Sequence, residues 1–265
     1  MKNKVHPRQQ ERKPELLLAI DVGNSSITYG LFKSGRLLRN WYGTDNRFPE
    51  INTFIANSGI KYSSYKVIAS SVNPQNIRKV KQAWFSTQGG QFLLIGGNIH
   101  LKIKHKYKNI NQLGKDRLAN VYGASKFYRP PILMINFGTA TTFDLVSKKG
   151  VYEGGLIIPG IETSWKALQE KAALLPKLGG IIHSKFFIGR DTKSCMASGL
   201  LQGFGAMVDG LSERFKKRYE RKLTVISSGG LAATIRPYVK SKMTVDQTHT
   251  LKSLALIYRD YAKTR

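Results

Sequence analysis

A single cysteine, Cys195, stands in a chain of 265 residues. One thiol forms no internal disulfide, and Cys195 has no spaced Cys or His companions, which excludes a disulfide scaffold and a cysteine zinc site. It reads as a small buried or half-buried hydrophobe. Long apolar runs are also missing. The longest, such as 131–135 and 154–158, are of strand length, far short of the roughly 18 residues that a membrane span requires. No membrane partner is therefore expected. Residues 1–14 are basic and polar, and the apolar stretch after them, 16–20, is too short for a signal-peptide core. We read 1–14 as a disordered basic tail and expect a cytoplasmic protein. Acidic residues are scarce as well: 16 against 43 Lys and Arg, a net charge of +27. Such an excess attracts polyanions without specificity. It is spread along the chain, however, and no zinc finger, RNA-binding aromatic signature or helix-turn-helix accompanies it. A lysine-rich surface is expected, and no specific nucleic-acid partner.

What is present is a globular composition, 41% apolar, long enough for two lobes with their own cores. The apolar run 16–21 ends in the turn Val22-Gly23-Asn24-Ser25. Strands follow at 26–32 and, after Ser34-Gly35, at 37–42. A helix is expected over 49–56. A short strand at 66–70 leads through Asn73-Pro74, a helix start with Pro at its first position, to a helix ending near Phe85. A strand near 91–95, a polar loop 105–111 and a helix over 113–127 complete the first half. Pro130-Pro131 breaks the chain. The second half begins with a strand at 132–136, the turn Phe137-Gly138-Thr139, a strand to Val146, the turn 148–150 and a strand to Ile158. A helix opens at Pro159-Gly160. Residues 192–219 read as one long helix in which Gly199, Gly203 and Gly210 allow close packing. A strand at 223–226 and a terminal helix over 250–262 close the sequence.

The two halves echo each other. Asp21-Val-Gly-Asn-Ser-Ser26 with Gly35 matches Asn136-Phe-Gly-Thr-Ala-Thr141 with Gly150 at an offset of 115. Repeated strand–turn–strand units at a fixed offset predict two lobes of similar topology, 15–128 and 129–265, facing each other. Each turn offers a glycine, small hydroxyls and backbone N–H donors, the groups that receive phosphate oxygens. Asp21 ends an apolar strand, where a carboxylate is costly without a partner. Hydrated Mg²⁺ on nucleotide phosphates is such a partner. Ser227-Ser228-Gly229-Gly230 follows a strand and lets a flat ring or phosphate approach the backbone. Gly114-Lys115-Asp116-Arg117 opens a helix. There Asp116 suits a general base toward a substrate hydroxyl, and Arg117 a bidentate grip on a substrate anion. Tyr107 and Asn109 lie just before it. His105, in a lysine-rich loop, and His183, after an apolar pair, read as solvated and structural respectively.

In this order, Asp21-x-Gly-Asn-Ser, Tyr107-x-Asn, Leu113-Gly-x-Asp-Arg117, Gly138-Thr-Ala-x-Thr142, Gly154-Gly-x-Ile-x-Pro-Gly160, Gly189-Arg-x-Thr192 and Gly229-Gly230 resemble the type III pantothenate kinases. These belong to the acetate and sugar kinase, heat-shock protein and actin superfamily, and the resemblance covers about 16–258. It implies an α/β fold of two ribonuclease-H-like lobes, each a mixed five-stranded sheet flanked by helices, around an actin-like ATPase core. It implies ATP-dependent phosphorylation of pantothenate, the first step of coenzyme A synthesis, by a homodimer using Mg²⁺ and a monovalent cation, K⁺ or NH₄⁺. Carried over residue by residue, Asp21, Val22, Gly23, Asn24, Ser25, Ser26, Ile27 and Thr28 form the first phosphate loop. Thr139, Gly229 and Gly230 contact ATP. Tyr107, Gly114, Lys115, Asp116, Arg117 and Thr192 bind pantothenate, and Asp116 accepts its proton. Two positions depart from the family. Asn136 replaces the usual cation-binding Asp, keeping a carbonyl oxygen but losing the charge, which implies weaker or altered cation binding. Ser25 replaces a common Thr and keeps the hydroxyl. The same family includes members described as accessory factors of a virulence regulator. A non-catalytic role in binding nucleotide or nucleic acid is the alternative function.

Overall fold

The structure is a computed structural model. It describes residues 16–44, 53, 57, 65–87, 91–181, 186–219 and 222–264. The tail 1–14, most of the helix expected at 49–56, and His183 lie outside the described residues.

The first sheet has five strands in the order β3-β2-β1-β4-β5: β1 (Leu16–Val22), β2 (Ser26–Lys33), β3 (Arg36–Thr44), β4 (Tyr65–Ser71) and β5 (Phe92–Leu94). β1 pairs antiparallel to β2 and parallel to β4. Alternation sorts the side chains of β1. Leu16, Leu18 and Ile20 join a core with Ile77, Val80 and Trp84 of α1 (Pro74–Thr87). Leu17 and Ala19 face the other way, into a core with α2 (Lys115–Phe127). The start of α1 is as the sequence predicts: the Asn73 side-chain oxygen accepts from the N–H groups of Gln75 and Asn76, and Pro74 takes the first helical position.

The second sheet repeats the first, in the order β10-β9-β6-β7-β8: β6 (Ile132–Phe137), β7 (Ala140–Val146), β8 (Tyr152–Pro159), β9 (Thr224–Ser228) and β10 (Thr244–Val245). Leu133, Ile135 and Phe137 meet α3 (Ile161–Lys171), α4 (Thr192–Arg218) and the one-turn α5 (Ala232–Ile235). Both sheets share a register shift, at Leu31/Phe32 and at Leu145/Val146. Gly35 and Gly150 both turn at positive φ, 81° and 72°. The repeat is real, with one correction. Val22 pairs with Ile27, whereas Phe137 pairs with Thr141, so the second hairpin turn is one residue shorter. Beyond the turn Thr141 corresponds to Ile27, not to Ser26.

Between the sheets lie α2 and α6 (His249–Ala262). Leu251, Leu254 and Ile257 of α6 share one core with Leu17 and Ala19 of β1, Leu118 and Val121 of α2, and Ile132 and Met134 of β6. The terminal helix thus ties the last part of the chain to the first sheet. The two helices approach closely at Gly123, where an added Cβ would lie 1.9 Å from Ser253 Oγ and 3.1 Å from its Cα. Gly123→Ala is expected to destabilise the fold by about 1–3 kcal/mol, read as a lower midpoint in urea at unchanged slope.

Two smaller expectations are corrected. Gly199, Gly203 and Gly210 face open space; the close approach on α4 is at Gly205, where a Cβ would stand 2.1 Å from the Tyr238 carbonyl. Cys195 is exposed rather than buried, because it sits on the outer face of the first turn of α4.

Candidate active site

A cavity of about 530 Å³ opens between the two sheets. It is lined by the β1–β2 hairpin (Asp21, Gly23, Asn24, Ser26, Thr28), the start of α2 (Gly114, Asp116, Arg117), and the β6–β7 hairpin (Asn136, Gly138, Thr139). Tyr107 and the turn Ser228-Gly229-Gly230 complete it. Residues far apart in the sequence are therefore gathered into one wall. The hairpins meet across it: Ser25 Oγ and Thr139 Oγ1 lie 3.1 Å apart. The glycine N–H groups close their own turns, Gly23 to the Ser26 carbonyl and Gly138 to that of Ala140.

Some predicted residues stand elsewhere. Val22 and Ile27 are core residues that shape the hairpin from behind. Lys115 turns away, its ammonium donating to the Asn111 carbonyl and its stem packing beside Gly96. Thr192 begins α4, next to the capping Asp191, and does not line the cavity of a single chain. His105 is exposed, with Nδ1 3.0 Å from the Tyr107 carbonyl oxygen.

Asp21 is held by the Ser70 hydroxyl, which donates to its Oδ1 at 2.6 Å. Burial first, then the negative charge of Asp116, pushes its carboxyl up to about 7, against the lowering effect of Ser70. Asp116 lies in the first turn of α2, one residue past the turn-opening Lys115. Its Oδ1 is buried and has no hydrogen-bond partner. Burial is again the main reason that its carboxyl titrates above the ordinary range. Gly114 leaves room for that oxygen: a Cβ there would stand 2.6 Å from it. A buried, unpartnered oxygen on a carboxylate that borders a cavity suits a general base that turns toward its substrate.

Arg117 differs from its sequence reading. Its Nη2 donates to Asp144 Oδ1 at 2.7 Å and to the Tyr152 hydroxyl at 3.1 Å, and Nε reaches both Asp144 oxygens at 3.2 Å. Tyr152 in turn donates to Asp144 Oδ1 at 2.7 Å. Burial opposes the guanidinium charge, but the Asp144 carboxylate outweighs it and keeps the group protonated. The fork is therefore spent on Asp144, and Nη1 is what remains for a ligand. Gly155 makes space for the pair, since a Cβ there would stand 2.8 Å from Nη2. Sequence reasoning missed Asp144, although a carboxylate inside the apolar run Thr142-Phe-Asp-Leu-Val146 carried the same signal as Asp21. Asp144→Asn leaves Arg117 buried without its counter-charge. We expect a loss of about 3–5 kcal/mol, measured by chemical denaturation.

Gly229 has φ 94°, and a Cβ would stand 2.4 Å from the Phe137 carbonyl oxygen. Only glycine fits there. The one-turn α5 that follows is too short to act as an anion-binding helix terminus, so the turn contributes close approach of bare backbone.

Asp21 and Asp116 supply carboxylate oxygens of the kind that hold a hydrated divalent cation. Asn136 offers a neutral carbonyl, level on neighbouring strands with Thr142 and Ser228. Among the described residues no group of three or more His, Cys, Asp or Glu is placed to hold a metal ion, and no helix is long and apolar enough to cross a membrane.

Residues 17–214 match the type III pantothenate kinase family. A type III pantothenate kinase of Listeria innocua is 33% identical over 252 residues, covering 92% of this chain and 97% of that protein. One from Geobacter sulfurreducens is 34% identical over 251 residues, covering 92% and 98%. Among solved structures, the activator of 2-hydroxyisocaproyl-CoA dehydratase from Clostridium difficile superposes with a TM-score of 0.58 at 10% identity, over 94% of this chain and 96% of that one. Component A of (R)-2-hydroxyglutaryl-CoA dehydratase from Acidaminococcus fermentans gives 0.56 at 12%, over 94% and 99%. These likenesses fit the paired mixed sheets of an actin-like ATPase fold. The chain belongs to the type III pantothenate kinase family.

Proposed function

We propose that this chain transfers the γ-phosphoryl group of ATP to the hydroxyl of pantothenate, in the cytoplasm, with Asp116 as general base. The observation that carries the reading is Asp116, whose side chain borders the cavity that both hairpins line and whose Oδ1 is buried without a hydrogen-bond partner. Asp116 takes the hydroxyl proton as the acceptor oxygen forms its bond to the γ-phosphorus. The bond from that phosphorus to the β–γ bridging oxygen breaks, and ADP leaves. The Asn24, Ser25, Ser26, Thr28 and Thr139 region receives the phosphates, and Gly229-Gly230 receives the nucleoside. Tyr107, Gly114 and Arg117 Nη1 border the acceptor. Asp21, with Asp116 nearby, would hold Mg²⁺ through water, and the ion would neutralise charge on the transferring group. The two lobes, 15–128 and 129–265, supply one hairpin each. Thr192 reaches an acceptor only if the proposed homodimer brings it there from a second copy. The non-catalytic alternative is not favoured, because base, hairpins and glycine turn all stand in one cavity.

A monovalent cation, K⁺ or NH₄⁺, fits the oxygen donors around Asn136 by type but lacks a counter-charge there. Asn136→Asp is expected to lower the K⁺ or NH₄⁺ concentration needed for half-maximal turnover. A coupled ADP-release assay over a panel of hydroxy acids, sugars and pantothenate, scanned over both cations, tests the reading. Turnover dependent on pantothenate supports it. Turnover with a sugar or another acid alone assigns a different acceptor.

A further inference from the structure

We propose that Tyr42 is a nucleoside-contacting residue, forming an aromatic wall of the cleft opposite Gly229-Gly230. The inference rests on the nucleotide reading above and extends it to a side chain that no phosphate motif contains. β3 is the edge strand of the first sheet. Its register pairs Tyr42 with Thr28 and Asn40 with Gly30. Thr28, Asn40 and Tyr42 therefore share one face, and all three line the cavity. Trp41, between them, turns to the opposite face and stacks on Tyr29 with ring centroids 6.0 Å apart. That stack fixes the orientation of the strand, and with it the direction of Tyr42.

The Tyr42 hydroxyl lies 3.0 Å, and its ring carbon Cζ 3.3 Å, from where a Cβ on Gly230 would stand. The side chain thus spans from the first sheet to the glycine turn of the second. It is nevertheless 47% exposed, and its hydroxyl has no hydrogen-bond partner among the described residues. A half-exposed aromatic ring at the mouth of a cleft, against bare backbone, has a free face to offer. The hairpins fix where phosphates go, since Ser25 and Thr139 already touch there. A nucleotide so anchored carries its nucleoside toward the glycine turn and Tyr42. Stacking on an aromatic face is tolerant of base identity, so the wall contributes affinity more than choice of base.

The test is calorimetric titration of the full chain with MgADP and with magnesium tripolyphosphate, which has phosphates but no nucleoside. Wild type, Tyr42→Ala and Tyr42→Phe are compared. Tyr42→Ala is expected to weaken ADP binding about tenfold, to leave tripolyphosphate within about twofold, and to leave the melting profile intact. Tyr42→Phe keeps the ring and stays near wild type. Unchanged ADP affinity in Tyr42→Ala, or an equal loss for both ligands, overturns the assignment of Tyr42 alone. A wild-type chain that binds neither ligand overturns the nucleotide reading on which it rests.

Discussion

Asp116→Asn is expected to lower turnover by about a hundredfold to ten-thousandfold while ADP binds as before. Asparagine keeps the shape of the side chain and the room left by Gly114, but cannot accept the proton. The loss should fall on kcat, because the proton moves in the transition state and not on binding. The pH profile gives an independent check. Burial first, and then the Asp144 charge, raises the Asp116 carboxyl, while the Asp116 charge helps raise Asp21. On the proposed mechanism Asp116 and Asp21 act ionised, so kcat/KM of the wild type is expected to fall as pH drops, with an acid limb displaced above the ordinary carboxylate range. A profile flat down to pH 5 contradicts the assignment.

Asp21→Asn is expected to abolish metal-dependent turnover and at the same time to stabilise the free protein. Asp21 titrates at about 7 in the folded chain against an ordinary 3.8. Below 3.8 both folded and unfolded chains carry the proton, and the residue costs nothing. Between 3.8 and 7 the unfolded chain sheds the proton while the folded chain keeps it. Stability therefore falls as pH rises through this window, and the cost is constant above it. Asp21 is only partly buried, which reduces that cost to roughly 2 kcal/mol. Asn removes that cost. At pH 8 the variant should melt about 4–8 °C above wild type, with a smaller gain at pH 5. A cation bound to Asp21 offsets the same cost in the wild type, so Mg²⁺ with nucleotide should narrow the difference. A variant that melts at or below the wild type at pH 8 contradicts the half-buried, electrostatically opposed carboxylate.

Much of this was legible from residue order. Glycine turns between apolar runs announced both hairpins, and their spacing announced the repeat. The offset was wrong by one beyond the turn, because the second hairpin closes over fewer residues, and a glycine match does not register a missing residue. The gathering of Asp21, Asp116, Thr139 and Gly229 around one cavity followed from their motifs. The interior bonding did not. Arg117 and Asp144 lie 27 positions apart, and nothing local marks them as partners. An arginine beside Asp116 therefore reads as a free clamp. Ser70 was unreadable for the same reason, since a parallel pairing across β1 and β4 brings it to Asp21. Tyr42 sits on an edge strand whose polar face gains meaning only once Gly230 is opposite. The docking of α6 on the first sheet is likewise a tertiary fact: its apolar stripe says that it is buried, not against what.

The most direct measurement is product analysis. Purified chain is incubated with ATP, Mg²⁺ and pantothenate in K⁺ or NH₄⁺, beside Asp116→Asn, and the products are resolved by mass spectrometry. The account predicts phosphopantothenate accumulating one for one with ADP in the wild type and lost in the variant. ADP formed without phosphopantothenate, or no ADP with either cation, would contradict it.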